Sequence, residues 1–173
     1  MQREIRFAHI RGHGRLSDDM GMYRTEEVAG RTHRRYNFSY VDQVHDAFLS
    51  LSIRLFVELG FMPSQLASGS QTAFWWHGNV TPPADMCEWV DLVRALLRHL
   101  IHRYCIEEVR RWPIEVWNEP NLDIFWEHAD QDAYFRLYEA TARAVKEVDA
   151  SLQVGGLRSP PAPTSGGRRS PTS

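Results

Sequence analysis

Glu115-Val116-Trp117-Asn118-Glu119-Pro120-Asn121 joins two kinds of backbone in seven residues. Ile114 and Val116 alternate like a strand, and Pro120 then removes a backbone donor and ends it. A carboxylic acid, Glu119, is left at the strand's end. In a parallel barrel the chemistry sits in this place, because the loops after the strands open on one face while the strands are buried. A solvated Glu in a turn is the bland alternative, and the surrounding chain has to decide.

Outward from that stretch, strands and helices alternate. Upstream, Ile53-Arg54-Leu55-Phe56-Val57-Glu58-Leu59 is rich in strand formers and stops at Gly60, with Glu58 as an acid near its C-terminal end. A buried carboxylate needs partners, so Glu58 either binds a neighbouring Arg or belongs to a site. Residues 4 to 10 form an earlier strand ending at Arg11-Gly12-His13-Gly14. Residues 15 to 36 are polar and lack periodicity, which predicts a long loop. Val41, Val44, Phe48 and Leu51 predict a short helix, with Asn37 or Ser39 as its N-cap.

A second long excursion, 62 to 83, carries Phe74-Trp75-Trp76, aromatics that serve either loop packing or a sugar-binding wall. Thr81 is expected to cap the next helix, with Pro82 in its first turn. Trp89, Val93, Leu96, Leu97 and Leu100 give that helix its stripe. Its His99 and His102 are spaced by three and lack an acidic third ligand, so they are expected on a solvated face and no metal is expected. Asp130 caps a final helix with Tyr134, Leu137, Thr141 and Val145, and Leu152-Gln153-Val154-Gly155 begins another strand.

The order strand, helix, strand, helix, strand, helix, strand implies parallel pairing through right-handed crossovers, in a doubly wound sheet or a barrel. No glycine-rich phosphate loop follows a strand, and long loops do, which favours the barrel. Composition narrows the partner. The 173 residues are 43% apolar, enough for a core, and Lys plus Arg (20) against Asp plus Glu (22) gives a net charge of −2. Without a basic block in the patterned region, no nucleic acid and no membrane is expected as partner, and a neutral ligand fits better. Cys87 and Cys105 are too few for a structural zinc and are expected to be reduced and buried. The first residues, Met1 to Ile5, lack the apolar stretch of a signal peptide, so a soluble, cytoplasmic protein is the expected class.

Four blocks in order, Arg11-Gly12-His13-Gly14 with Ser17-Asp18-Asp19, Phe56-Val57-Glu58-Leu59-Gly60-Phe61-Met62-Pro63, Gly78-Asn79-Val80-Thr81-Pro82-Pro83 and Trp117-Asn118-Glu119-Pro120-Asn121, resemble glycoside hydrolase family 39, in its β-xylosidase branch. The resemblance runs from about residue 3 to Gly156. It implies an α/β fold, a partial (β/α)8 TIM barrel, and a retaining mechanism on a xylo-oligosaccharide or aryl xyloside, without a cofactor. Glu119 is then the general acid/base at the end of the fourth barrel strand, and Asn118 contacts the sugar 2-hydroxyl. His13 contacts the bound xylose, and Trp76 and Phe125 fall where the family has pocket aromatics. Glu58 has no nucleophile role in the family's pattern. The nucleophile lies near the seventh strand, and this chain's patterned region stops near the fifth, short of the roughly 250 residues of a whole barrel.

Residues 157–173, with Arg158-Ser159-Pro160-Pro161-Ala162-Pro163 and no acid, cannot bury a core and are expected to be disordered. The division is therefore 1–156, a partial catalytic barrel, and 157–173, a tail read as a change of reading frame. Genomic sequence beyond codon 156 with no continuing barrel in another frame would defeat that last reading.

Overall fold

The computed structural model describes residues 7–156 of the chain. The first strand, β1 (His9–Gly12), is followed by a hairpin of β2 (Tyr23–Val28) and β3 (Arg31–Tyr36), then helix α1 (Ser39–Ser50) and strand β4 (Arg54–Glu58). Next come a two-residue ribbon, β5 (Thr72–Ala73) with β6 (Gly78–Asn79), and helices α2 (Met86–Tyr104) and α3 (Ile106–Val109). Strand β7 (Pro113–Glu115), helix α4 (Gln131–Val148) and strand β8 (Gln153–Gly155) complete the order.

β1, β4, β7 and β8 form one four-stranded sheet in that spatial order, every pair parallel. The expected alternation is therefore present, and the expected strand ends shift by a few residues. β1 runs on through Arg11 and Gly12, expected as loop, because both pair with β4, Arg11 opposite Phe56 and Gly12 opposite Val57.

Side-by-side register partners share a face of a parallel sheet. Ile10, Leu55, Val57 and Ile114 therefore lie on one face, and Arg11, Phe56, Glu58 and Glu115 on the other. The first face is the core. Leu55, Val57 and Ile114 are buried there with the stripe Trp89, Leu92, Val93, Leu96, Leu97 and Leu100 of α2 and with Leu137, Ala144 and Val145 of α4. Full burial of each large apolar side chain is worth about 1.5–3 kcal/mol. The indole of Trp89 donates to Thr141 Oγ1 at 2.7 Å, and Thr141 donates in turn to the Leu137 carbonyl at 2.7 Å, so the polar atoms between α2 and α4 are paired.

Three expectations are corrected. Residues 15 to 36 are not one long loop, because from Tyr23 onward β2 and β3 pair over their whole length through a two-residue turn, Ala29-Gly30, with φ of 51° and 73°. Such a turn suits a hairpin's twist. Both faces of the hairpin are largely exposed, so its strands carry charges such as Glu26 and Arg35, joined at 2.6 Å, instead of an alternating pattern. Thr81 does not cap α2. Its hydroxyl is buried against Asn79 Oδ1 at 2.8 Å, and Thr81 and Pro82 each precede a proline, which disfavours helical backbone. Asp85 caps instead, accepting from Cys87 N at 2.7 Å. Finally, both cysteines are free and exposed. Cys87 stands two residues before Trp89, on the far side of the helix from the buried stripe.

Asp130 caps α4 as expected, accepting from Ala133 N at 3.0 Å, and Asn37 Oδ1 takes the Ser39 N–H at 3.0 Å where α1 starts. His102 is exposed, whereas His99 is half-buried, stacks on Phe38 at 4.4 Å and meets Asp42 Oδ1 at 2.7 Å. No helix among the described residues is long and apolar enough to cross a membrane. The expected tail, 157–173, and the start of the first expected strand, 4 to 6, lie outside the described residues.

Candidate active site at the strand ends

Because the four strands are parallel, the loops after β1, β4 and β7 open at one end of the sheet. The loop after β1 supplies His13 and Gly14. Gly14 holds a φ of 75°, a left-handed conformation that favours glycine, and its N–H thereby reaches Glu58 Oε2 at 2.8 Å. The carboxylate of Glu58, at the end of β4, is 0% exposed. Its Oε1 accepts from Gly60 N at 2.7 Å, and His13 Nδ1 lies 3.1 Å from Oε2. A Cβ on Gly60 would stand 2.3 Å from Oε1, so the residue that lets this acid fold back over the chain has to be glycine. Among the described residues no arginine hydrogen-bonds Glu58, although its charge acts on the buried guanidinium of Arg15. Two backbone amides and an imidazole take that place, and the acid ties the loop after β1 to the loop after β4.

Arg11 carries the next layer. Its Nε and Nη2 lie 2.7 and 2.6 Å from Glu115 Oε2, and Nη2 donates to Asn118 Oδ1 at 2.9 Å. A guanidinium has only donors, so the Asn118 oxygen faces Arg11 and its NH2 group is turned elsewhere. Burial pushes the Glu115 carboxyl above the ordinary carboxylate range, Arg11 opposes that shift, and the charge of Glu58 adds to it. Glu119 follows at once, half-buried, with a φ of 41° that is uncommon for a residue with a Cβ. Its carbonyl accepts from Leu122 N at 3.0 Å, closing the turn after the motif.

Buried Trp117 holds that turn to the aromatics. Its indole N–H donates to the Phe125 carbonyl at 2.6 Å, and its ring meets Phe61 edge-on at 6.1 Å. Phe74 stacks on Trp76 at 4.4 Å, lies 5.4 Å from Phe125, and faces the edge of His13 at 6.0 Å. Trp76, Phe125 and His13 are thus brought together around Phe74, while Asn118 and Glu119 adjoin them through Trp117. A concavity of about 360 Å³ lies on the sheet's other face, lined by Phe56, Glu115, Gln153 and Gly155. Among the described residues no group of His, Cys, Asp and Glu can hold a metal ion.

Sequence reasoning gave no role to Arg11 or Glu115, and it named Phe74 only together with Trp75 and Trp76 as an aromatic for loop packing or a sugar-binding wall. Arg11 and Glu115 have opposite charge and, once the strands are paired, share a face with Phe56 and Glu58. That signal exists only after the register is known, since the two residues lie 104 positions apart.

What the arrangement offers is a half-buried carboxyl beside an oriented amide donor, under an aromatic wall, which suits proton transfer to a bound polar ligand. Residues 1–164 match the model of glycosyl hydrolases family 39. The chain is 58% identical over 156 residues to a β-xylosidase of Geobacillus stearothermophilus, covering 90% of this chain and 31% of that protein. It is 30% identical over 128 residues to the human α-L-iduronidase, covering 70% of this chain and 17% of that protein. Among solved structures, a monomeric β-xylosidase from Caulobacter crescentus CB15 superposes with a TM-score of 0.85 at 46% identity, over 90% of this chain and 31% of that one. The chain thus spans about a third of the length of the β-xylosidases it matches, and its four-stranded sheet is part of the barrel of such enzymes. The motif strand β7 is third among the described parallel strands, whereas the resemblance counts it fourth in a whole barrel. Family match, fold and motif order agree, and the chain belongs to glycosyl hydrolase family 39.

Proposed function

We propose that this chain is the acid/base-bearing part of a retaining β-xylosidase, with Glu119 as general acid and then general base. The observation that carries this reading is the placement of Glu119 on the turn after a parallel strand, next to an Asn118 whose oxygen is occupied by Arg11. A glycosidic oxygen leaves poorly, so a carboxylic acid delivers a proton as the bond breaks and later takes one from water. The NH2 of Asn118 is the group positioned to bind the sugar 2-hydroxyl, a contact that strengthens in the transition state. His13, its Nδ1 held toward Glu58, presents its opposite ring edge to the xylose, and Trp76 and Phe125 wall the pocket.

A retaining enzyme needs a second carboxylate about 5–5.5 Å from the first, acting as nucleophile. Neither inward-facing acid of the sheet fits that role. Both oxygens of Glu58 are engaged by Gly14, Gly60 and His13, and Glu115 is locked to Arg11. In this reading the nucleophile belongs to a part of the barrel beyond these residues, and the 173-residue chain by itself does not turn over. Incubation with an aryl β-xyloside tests it, with no release above background expected. Cleavage that is abolished by Glu119→Gln would support the acid/base role and overturn the need for a further carboxylate.

A further inference from the structure

We infer that Trp75 is the platform for a second ring of the ligand, on the leaving-group side of the bond that Glu119 addresses. The inference rests on the β-xylosidase reading and extends it to a residue outside the pocket just described. Trp75 sits in the turn between β5 and β6, where Phe74 and His77 hold left-handed φ values of 64° and 54° and His77 N donates to the Phe74 carbonyl at 3.2 Å. That turn drives successive aromatics to different sides. Phe74 and Trp76 stack against each other and Phe74 meets His13 and Phe125, whereas Trp75 is 84% exposed and touches Trp76 edge-on at 5.4 Å.

Trp75 is the most exposed of the large apolar side chains among the described residues. An indole left this open on a strained turn gains little from packing, and it is joined to the site through a continuous aromatic run, Trp75 to Trp76 to Phe74 to His13. A xylosidase that removes a terminal sugar holds that sugar at the strand ends, so any further ring lies toward solvent. Trp75 is the outward end of this run, beyond Phe74 and Trp76. A flat indole face binds the apolar face of a pyranose, or an aryl group, with little selectivity between them.

The test is titration of the 173-residue chain with xylose and with xylobiose, followed by calorimetry and by tryptophan fluorescence. Xylobiose is expected to bind roughly 5- to 10-fold tighter than xylose, the range of one aromatic contact of about 1 kcal/mol. Trp75→Ala should remove that advantage and leave xylose affinity within about twofold, while Trp75→Phe keeps most of it. Retention of the full advantage in Trp75→Ala overturns the inference, as does a wild-type chain that binds both sugars equally. A wild-type chain that binds neither sugar sinks the β-xylosidase reading and this inference together.

Discussion

Two polar side chains are buried to nearly the same degree and have opposite surroundings. Glu58, 0% exposed, lies at the strand ends with every oxygen occupied, by Gly14 N, Gly60 N and His13. His45, 1% exposed, lies on α1 against Trp112 at 5.3 Å and Tyr104 at 6.0 Å, and among the described residues neither ring nitrogen has a hydrogen-bond partner. Burial, with repulsion from Arg15 as a second cause, pushes the imidazole down to about 3. Depth does not determine what a buried polar group does for the protein. A satisfied one fixes loops at a distance, and an unsatisfied one makes stability depend on pH.

The largest expected effect comes from removing Glu58. Glu58→Ala leaves two backbone amides buried without an acceptor and should cost about 3 kcal/mol in urea unfolding, and Glu58→Gln should cost clearly less because an oxygen remains. A cost below about 1 kcal/mol for the alanine variant would show that the two loops hold themselves.

Next comes the acid dependence that His45 imposes. The folded chain keeps the imidazole neutral and the unfolded chain protonates it near 6.5, so its contribution to stability is complete above that pH and is lost as pH falls toward 3. About 3 kcal/mol should disappear between pH 7 and pH 4, and His45→Phe should flatten the pH profile relative to wild type. Parallel profiles for the two proteins would break the contrast with Glu58.

The smallest effect belongs to Glu115, which stands between the two cases, part-buried and paired. Its carboxyl is raised by burial, so the folded state takes up a proton before the unfolded state does, and this group alone adds stability as pH falls through its folded pKa toward 4.5. Glu115→Gln removes that gain and should make the acid loss slightly steeper in the same titration. A shallower loss would mean that Arg11 outweighs burial.

The legibility of the chain follows the same physics. Periodic burial made α2 and α4 readable from spacing alone, and Asp130 was readable as a cap because capping is local. Glu119 and Asn118 stood out because proline and strand alternation mark a strand end in seven residues. The β2–β3 hairpin had no such mark, since a ribbon exposed on both faces need not alternate. The arginine that orients Asn118 was hidden for a different reason. Arg11 and Glu115 meet only through the parallel register, which no local window contains. Glu58 was legible as an acid that needs partners, but those partners are backbone amides, and sequence does not show where an N–H points.

The 2.6 Å bond from the Trp117 indole to the Phe125 carbonyl gives the proposed site a mechanical property. It attaches one wall of the pocket to the same strand extension that carries Asn118 and Glu119, so wall and proton donor shift as one rigid piece. Under the proposed roles, sugar preference in this lineage can then drift through side chains on the Phe74–Phe125 surface without disturbing proton transfer. A backbone change in the segment between Trp117 and Phe125 alters both at once.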